Sequence, residues 1–151
     1  MFQLAVTAII AAGSVLLFAY WFRYTCLLIV SAKTALDYAG GVAEDNKLNF
    51  LSVQSSLNAR KTIDLDRLHT ALERDYALLT YLLKNASKSS PEESSIETRM
   101  LELNYRLMRA WYQASRRFST EMACHALEEM SLVVAHVANV MGERSASMSA
   151  A

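Results

Sequence analysis

The chain has 151 residues, and its 15 basic and 15 acidic side chains balance to a formal charge of zero. A neutral total argues against a globally basic nucleic-acid-binding protein and against a disordered acidic tail. The sequence holds no glycine-rich phosphate loop, which excludes the common nucleotide-binding folds. With only four glycines and one proline, the composition favours helix throughout, so we expect an all-α fold.

The N-terminal residues predict a transmembrane anchor over residues 1–23. The stretch from Met1 to Phe22 carries no charged side chain, and Arg23 ends it. A helix that crosses a bilayer needs roughly 20 such residues. A secretory signal peptide begins with basic residues, but no Lys or Arg precedes this apolar run. A core helix is also disfavoured, because a domain this small can hardly bury such a helix on all sides. We therefore favour an uncleaved anchor over a signal peptide or a core helix.

Two groups of anchor residues carry predictions of their own. Small side chains on one stripe let a second transmembrane helix approach closely, although alanine is also simply common in such spans. This helix-packing group consists of Ala5, Ala8, Ala12 and Ala19. Aromatic side chains with a cation that reaches the headgroups are typical of the membrane interface. That interface group consists of Tyr20, Trp21, Arg23 and Tyr24.

Basic residues near the two ends of the span predict its orientation. None precedes the span, whereas Arg23 and Lys33 follow it. The positive-inside rule then places the N-terminus outside and the C-terminal domain in the cytoplasm. Reduced thiols at Cys26 and Cys124 fit a cytoplasmic location.

Behind the anchor, the pattern divides the chain into four further segments. Residues 24–39 continue without Gly or Pro until Gly40 and predict a juxtamembrane helical stalk. Gly40 and Gly41 are expected to stop that helix and open a linker over residues 40–49. A helical bundle domain follows over residues 50–143, and the polar, small residues 144–151 predict a mobile tail.

Apolar residues of helical period predict the helices of the bundle. A short helix is expected around Phe50, and a long one from about Thr62 to about Ala86, with Ala86–Ser90 as the turn after it. Ser90, Pro91 and Glu93 form a capping box for the next helix. The last helix is expected to stop near Gly142, and whether it is continuous with the preceding one near Ser119–Thr120 stays open. Together these predict an antiparallel helical hairpin or a three- to four-helix bundle.

The helix after the capping box has three different sides. Its main apolar seam runs at near-heptad spacing and is expected to face the core. The seam residues are Ile96, Met100, Leu103, Leu107, Ala110, Ala114 and Phe118. A second apolar strip predicts contact with a partner protein, since a lone surface helix is apolar on one side only. This predicted docking strip consists of Leu101, Tyr105, Met108, Trp111 and Tyr112.

Arginines occupy the third side of the same helix. They are expected to pair with acidic residues of their own domain such as Glu121, Glu128 and Glu129, to contact anionic lipid, or to bind an acidic partner. Nucleic acid is the least favoured ligand, because no recognition motif accompanies the row. The row consists of Arg99, Arg106, Arg109, Arg116 and Arg117.

Catalytic and metal-binding patterns are weak. Glu121, His125 and Glu129 share one helix face, and His69 with Glu73 repeats the spacing, but ordinary helix-surface pairing explains both. Paired E-x-x-H motifs of a di-iron site are absent from the sequence. Adjacent Cys124 and His125 point apart on a helix and make no catalytic dyad. We expect no catalytic residue, metal or cofactor.

The sequence therefore predicts a non-catalytic, single-pass membrane-anchored helical protein. It would act by helix–helix interaction, as an accessory or scaffold subunit of a membrane complex or as a homo-oligomer. The expected partners are the membrane and a protein or a second copy, with no nucleic acid and no small-molecule substrate. A membrane-tethered sensor or regulator, whose arginine face binds anionic lipid or an acidic partner, is the alternative. A metal- or redox-dependent enzyme within the bundle is a third hypothesis.

Overall fold

The computed structural model describes residues 1–32, 37–59, 64–86 and 96–149. Its described residues form six helices and no strand, so the predicted all-α fold is confirmed. The helices are α1 (Phe2–Ser31), α2 (Ala39–Asp45), α3 (Phe50–Asn58), α4 (Leu65–Ala86), α5 (Ile96–Ser115) and α6 (Thr120–Ser149). They divide into two units, Met1–Ala32 and Lys33–Ala151.

The first unit is the single helix α1. It has 30 residues, which is about 45 Å of helix. By length and composition it is the one helix among the described residues that could cross a membrane. It continues past Arg23 and ends at Ser31, so only the first part of the predicted stalk, residues 24–39, is an extension of the anchor helix.

The second unit is built around α6. This helix packs against α2, α3, α4 and α5, and its buried face supplies much of the core, including Leu127, Met130 and Val134. Leu72 and Leu79 of α4 and Phe50 of α3 are also fully buried. The predicted turn Ala86–Ser90 and the capping box at Ser90, Pro91 and Glu93 lie mostly or wholly outside the described residues.

The prediction of a linker over residues 40–49 is wrong for its first half. Gly40 and Gly41 lie inside α2, whose Ala39 and Ala43 are buried. The stop comes later, at Lys47, which adopts a left-handed φ of 52°. The amide of Leu48 donates to the carbonyl of Ala43 at 2.8 Å, a Schellman end in which a lysine occupies the position that glycine usually takes.

The predicted helix stop at Gly142 is also wrong. Helix α6 runs through Gly142 to Ser149, so the predicted tail is helical as far as the structure describes it, and its mobility stays a prediction. At its other end, α5 stops at Ser115 and α6 starts at Thr120, so the two helices are separate. The hydroxyl of Ser119 accepts the amide N–H of Met122 at 3.3 Å, which caps the new helix.

Candidate functional site

The outward side of α5 is the main candidate surface. Four large apolar side chains there, and Phe118 just after the helix, are between 47% and 87% exposed, and Ala110 and Ala114 beside them are exposed as well. We call this surface the outer stripe; its five large members are Ile96, Leu103, Leu107, Trp111 and Phe118. All but Trp111 belong to the seam that the sequence analysis assigned to the core, so that assignment is wrong.

The predicted docking strip is instead the core-facing side of α5. Leu101, Tyr105, Met108 and Tyr112 are all buried inside their own domain. Only Trp111 of the predicted strip is exposed, and it belongs to the outer stripe. Four of the five strip residues therefore stabilise the fold and are not accessible to a partner.

Side chains of α4 and α5 meet in an antiparallel ladder. Near the start of α4, Asp66 accepts hydrogen bonds from the Tyr112 hydroxyl at 2.8 Å and from the Arg116 guanidinium at 2.5 Å. One turn on, the ring of His69 stacks on Tyr112 with ring centroids 4.5 Å apart. From Asp66 to Tyr76 of α4, the partner residues fall in number from Arg116 to Tyr105. The two helices are therefore antiparallel, which confirms the predicted antiparallel arrangement.

The ladder continues toward the end of α4. Glu73 pairs with Arg109 at 2.5 Å, and the rings of Tyr76 and Tyr105 stack with centroids 3.8 Å apart. The ladder residues are spaced 3, 4 and 3 on α4 and 4, 3 and 4 on α5. That matching spacing is the sequence signal from which the true inner side of α5 could have been found.

The arginine row is divided between two roles. Arg109 and Arg116 pair with Glu73 and Asp66 of α4, and Arg106 pairs with Glu102 one turn away at 2.6 Å. The expected partners Glu121, Glu128 and Glu129 make none of these pairs. Within the part of the chain that is described, Arg99 and Arg117 have no ion pair, and both are exposed. Own-domain pairing therefore accounts for three of the five arginines.

Hydrogen bonds and burial in the ladder shift the pKa values of its members. Hydrogen bonds from Tyr112 and then Arg116 lower the pKa of Asp66, and the same bond with Asp66 raises the pKa of Arg116. Burial, followed by the hydrogen bond to Asp66, raises the pKa of Tyr112 to about 12. Burial also lowers the pKa of His69, an effect that nearby Glu73 opposes.

Two buried or half-buried histidines, His69 and His136, are expected to make the folded domain less stable as the pH falls. Burial lowers the pKa of His69 and of His136 below 6.5, so the unfolded chain takes up these protons first as the pH falls. The contribution of these two histidines to stability is then fully present above their pKa in the unfolded chain. It is lost as the pH drops toward their lower pKa values in the folded chain. We expect the free energy of unfolding to decrease between pH 7 and pH 5, by an amount on the order of 1 kcal/mol.

Urea unfolding of the full-length chain in detergent micelles, followed by circular dichroism, measures this slope. The double variant His69→Gln/His136→Gln is expected to flatten it, whatever its stability at pH 7. A slope between pH 7 and pH 5 that is as steep in the double variant as in the parent would contradict the assignment.

The predicted anchor residues all lie on α1. The four residues of the helix-packing group are exposed along the helix: Ala5, Ala8, Ala12 and Ala19. The four residues of the interface group are exposed in its second half: Tyr20, Trp21, Arg23 and Tyr24. The rings of Tyr20 and Tyr24 stack with centroids 6.5 Å apart. Their assignment to helix packing and to the membrane interface stays a prediction.

Among the described residues, no group of three or more His, Cys, Asp or Glu side chains is arranged to hold a metal ion. His69 lies 3.8 Å from Glu73, which is the helix-surface pairing expected from the sequence. His125 contacts Glu128 at 3.1 Å, a residue outside the expected group of Glu121, His125 and Glu129. Comparison with known protein families, with curated proteins and with solved structures finds no match to this chain.

Proposed function

We propose that this chain is a non-catalytic, single-pass membrane-anchored protein that acts by helix–helix contact. It serves as an accessory or scaffold subunit of a membrane complex or as a homo-oligomer. The observation that carries the proposal is the outer stripe, since α5 fills the core of its domain with one side and leaves a second apolar side exposed. Contiguous exposed apolar surface of this kind marks interaction sites.

The membrane anchor of the proposal is α1. The uncharged stretch from Met1 to Phe22 supports a span, and Arg23, which ends that stretch, supports an N-terminus outside and a cytoplasmic C-terminal domain. The exposed alanines of α1 support close contact with another transmembrane helix. The chain would then have one contact region in the bilayer and one on α5.

The alternative, a sensor that reads anionic lipid with its arginine face, loses support from the ion pairs. Arg109 and Arg116 are engaged with acidic side chains of α4. A cation that is already paired gains little from an anionic headgroup, which contributes about 1 kcal/mol for each unpaired one. The geometry therefore favours apolar docking over lipid sensing.

Extraction of the full-length protein from its native membrane in mild detergent tests the proposal. We expect the parent chain to elute with a stoichiometric partner or as a homo-oligomer, and the double variant Leu103→Gln/Leu107→Gln to lose that assembly. Glutamine retains helix propensity, and exposed substitutions of this kind change stability by less than about 0.5 kcal/mol each.

A matched control replaces exposed leucines elsewhere in the same domain. Leu51 of α3 and Leu78 of α4 are 44% and 37% exposed, close to the 49% and 47% of Leu103 and Leu107. The variant Leu51→Gln/Leu78→Gln is expected to keep its assembly. Elution of the parent chain as a lone monomer, or equal loss of assembly in both double variants, would refute docking through the outer stripe.

A further inference from the structure

The outer stripe follows the spacing of a coiled-coil seam. Six residues on this side of α5 are spaced 4, 3, 4, 3 and 4, and Trp111 borders them: Ile96, Met100, Leu103, Leu107, Ala110 and Ala114. A helix with this near-heptad spacing presents alternating a and d positions to a partner helix. Here the seam points away from the domain core, so its geometry suits a helix supplied from outside.

One edge of the seam is cationic and the other is mixed. Arg99 and Arg106 are seven residues apart, at the position that borders a coiled-coil seam and chooses its partner by charge. Arg106 also pairs with Glu102 of its own helix, but both side chains of that pair are exposed, and such surface pairs contribute little. The other edge holds exposed Glu97, buried Asn104 and exposed Trp111. A helix that lies on the seam therefore meets two arginines on one flank and one carboxylate on the other.

The seam narrows along α5. Bulky Leu103 and Leu107 give way to Ala110 and Ala114 in its second half. Small residues let two helix backbones approach each other, so this part of the seam fits a second helix closely. Exposed Trp111 and Phe118 border the alanines, and bulky apolar side chains also contribute to binding at a bilayer interface. Lipid binding is therefore an outcome that the experiment must distinguish.

A second copy of α5 is a poor occupant. In an antiparallel pair related by a two-fold axis, the same edge of both helices meets, so Arg99 and Arg106 would face arginines of the partner copy. In a parallel pair, Arg99 and Arg106 would face Asn104 and Trp111 of the partner copy. Neither arrangement places a carboxylate opposite these two arginines.

We propose, resting on the helix-docking function above, that the outer stripe binds an amphipathic helix of a different protein whose apolar seam is bordered by Asp or Glu. The leucines and alanines of the stripe form the seam contact. Arg99 and Arg106 select the partner by charge, because they attract carboxylates on the facing edge of the partner helix and repel cations there.

Two synthetic three-heptad peptides serve as probes. Both carry Leu at the a and d positions; one has Glu and the other Lys at every e and g position. The full-length protein is placed in nanodiscs of zwitterionic phosphatidylcholine, and peptide binding is followed by fluorescence anisotropy against empty nanodiscs. We expect the Glu peptide to bind about tenfold or more tightly than the Lys peptide, with a preference that weakens as salt is raised.

Charge reversal supplies the decisive comparison. The variant Arg99→Glu/Arg106→Glu is expected to prefer the Lys peptide. Its matched control, Arg67→Glu/Arg74→Glu, makes the same change at exposed arginines of α4 and is expected to keep the preference for Glu. Equal binding of both peptides by the parent chain, or a preference that survives reversal at Arg99 and Arg106, would overturn the inference.

The outcomes separate this inference from the function on which it rests. If Leu103→Gln/Leu107→Gln weakens binding of both peptides while charge reversal changes nothing, apolar docking stands and the acidic partner is refuted. If the chain shows no peptide preference, and added anionic lipid in vesicles recruits it through Arg99 and Arg106, the surface is a lipid site and the inference is also refuted.

Discussion

Replacement of Asp75 by alanine is expected to destabilise the helical domain by about 2 kcal/mol. Asp75 of α4 is only 2% exposed, and its carboxylate accepts the backbone N–H of Asn49 at 2.6 Å and the Asn49 side-chain amide at 3.4 Å. Asn49 precedes the first residue of α3 and makes no side-chain cap of its own. Asp75 therefore caps α3 from another helix, and hydrogen bonds to a charged group are stronger than neutral ones.

Two further variants identify the cause of that loss. Asp75→Asn keeps the size and one acceptor oxygen and is expected to lose roughly half as much stability. Asp45→Ala removes an exposed carboxylate at the end of α2 and is expected to stay within about 0.5 kcal/mol of the parent. Urea unfolding of the full-length chain measures all three. A neutral Asp75→Ala would show that the cap contributes nothing.

The periodic helices of the second unit were predictable because their signal is local. The pattern of apolar residues predicted a helix from about Thr62 to about Ala86, and α4 spans Leu65–Ala86. Leu72 and Leu79 of that seam are fully buried. Amphipathic period is set by neighbours along the chain, so one sequence was enough for these elements.

The inner side of α5 was not predictable from its own period. Both apolar strips repeat at helical spacing, and the one richer in aliphatic residues faces solvent, with Ile96 and Leu103 exposed. The strip that faces the core is the one whose aromatic rings stack on rings of α4. Tyr105 stacks on Tyr76, and Tyr112 stacks on His69. Such complementarity belongs to a pair of helices, and a pattern within one helix does not contain it.

Helix α2 was missed for a related reason. Two adjacent glycines weaken a helix by roughly 1 kcal/mol each, which is why they predicted a linker. The contacts that offset this cost come from far along the chain. Asn139 of α6 accepts the N–H of Tyr38 at 2.7 Å, across 101 positions of sequence, and Ala39 and Ala43 are buried. Tertiary packing therefore outweighs propensity here.

Replacement of Gly142 by alanine is expected to destabilise the domain by about 2 to 3 kcal/mol. A β-carbon at this position of α6 would overlap the β-carbon of Tyr38 and lie 3.1 Å from a methyl carbon of Val42. The β-carbon of Tyr38 cannot rotate away, so α2 would have to move from α6. The usual gain of alanine over glycine in a helix, roughly 1 kcal/mol, is smaller than this cost.

Gly41→Ala is the matched control, since it makes the same change in a helix where nothing lies within 4 Å of the added carbon. It is expected to stabilise the domain by about 0.5 to 1 kcal/mol. Urea unfolding of both full-length variants, with hydrogen exchange of the α2 amides, compares them directly. If Gly142→Ala stabilised the chain as Gly41→Ala does, α2 would not be held against α6 at this contact. The change in helix propensity is the same at both glycines. The stability changes are expected to differ in sign because Gly142 faces Tyr38 and Val42, whereas a carbon added at Gly41 meets open space.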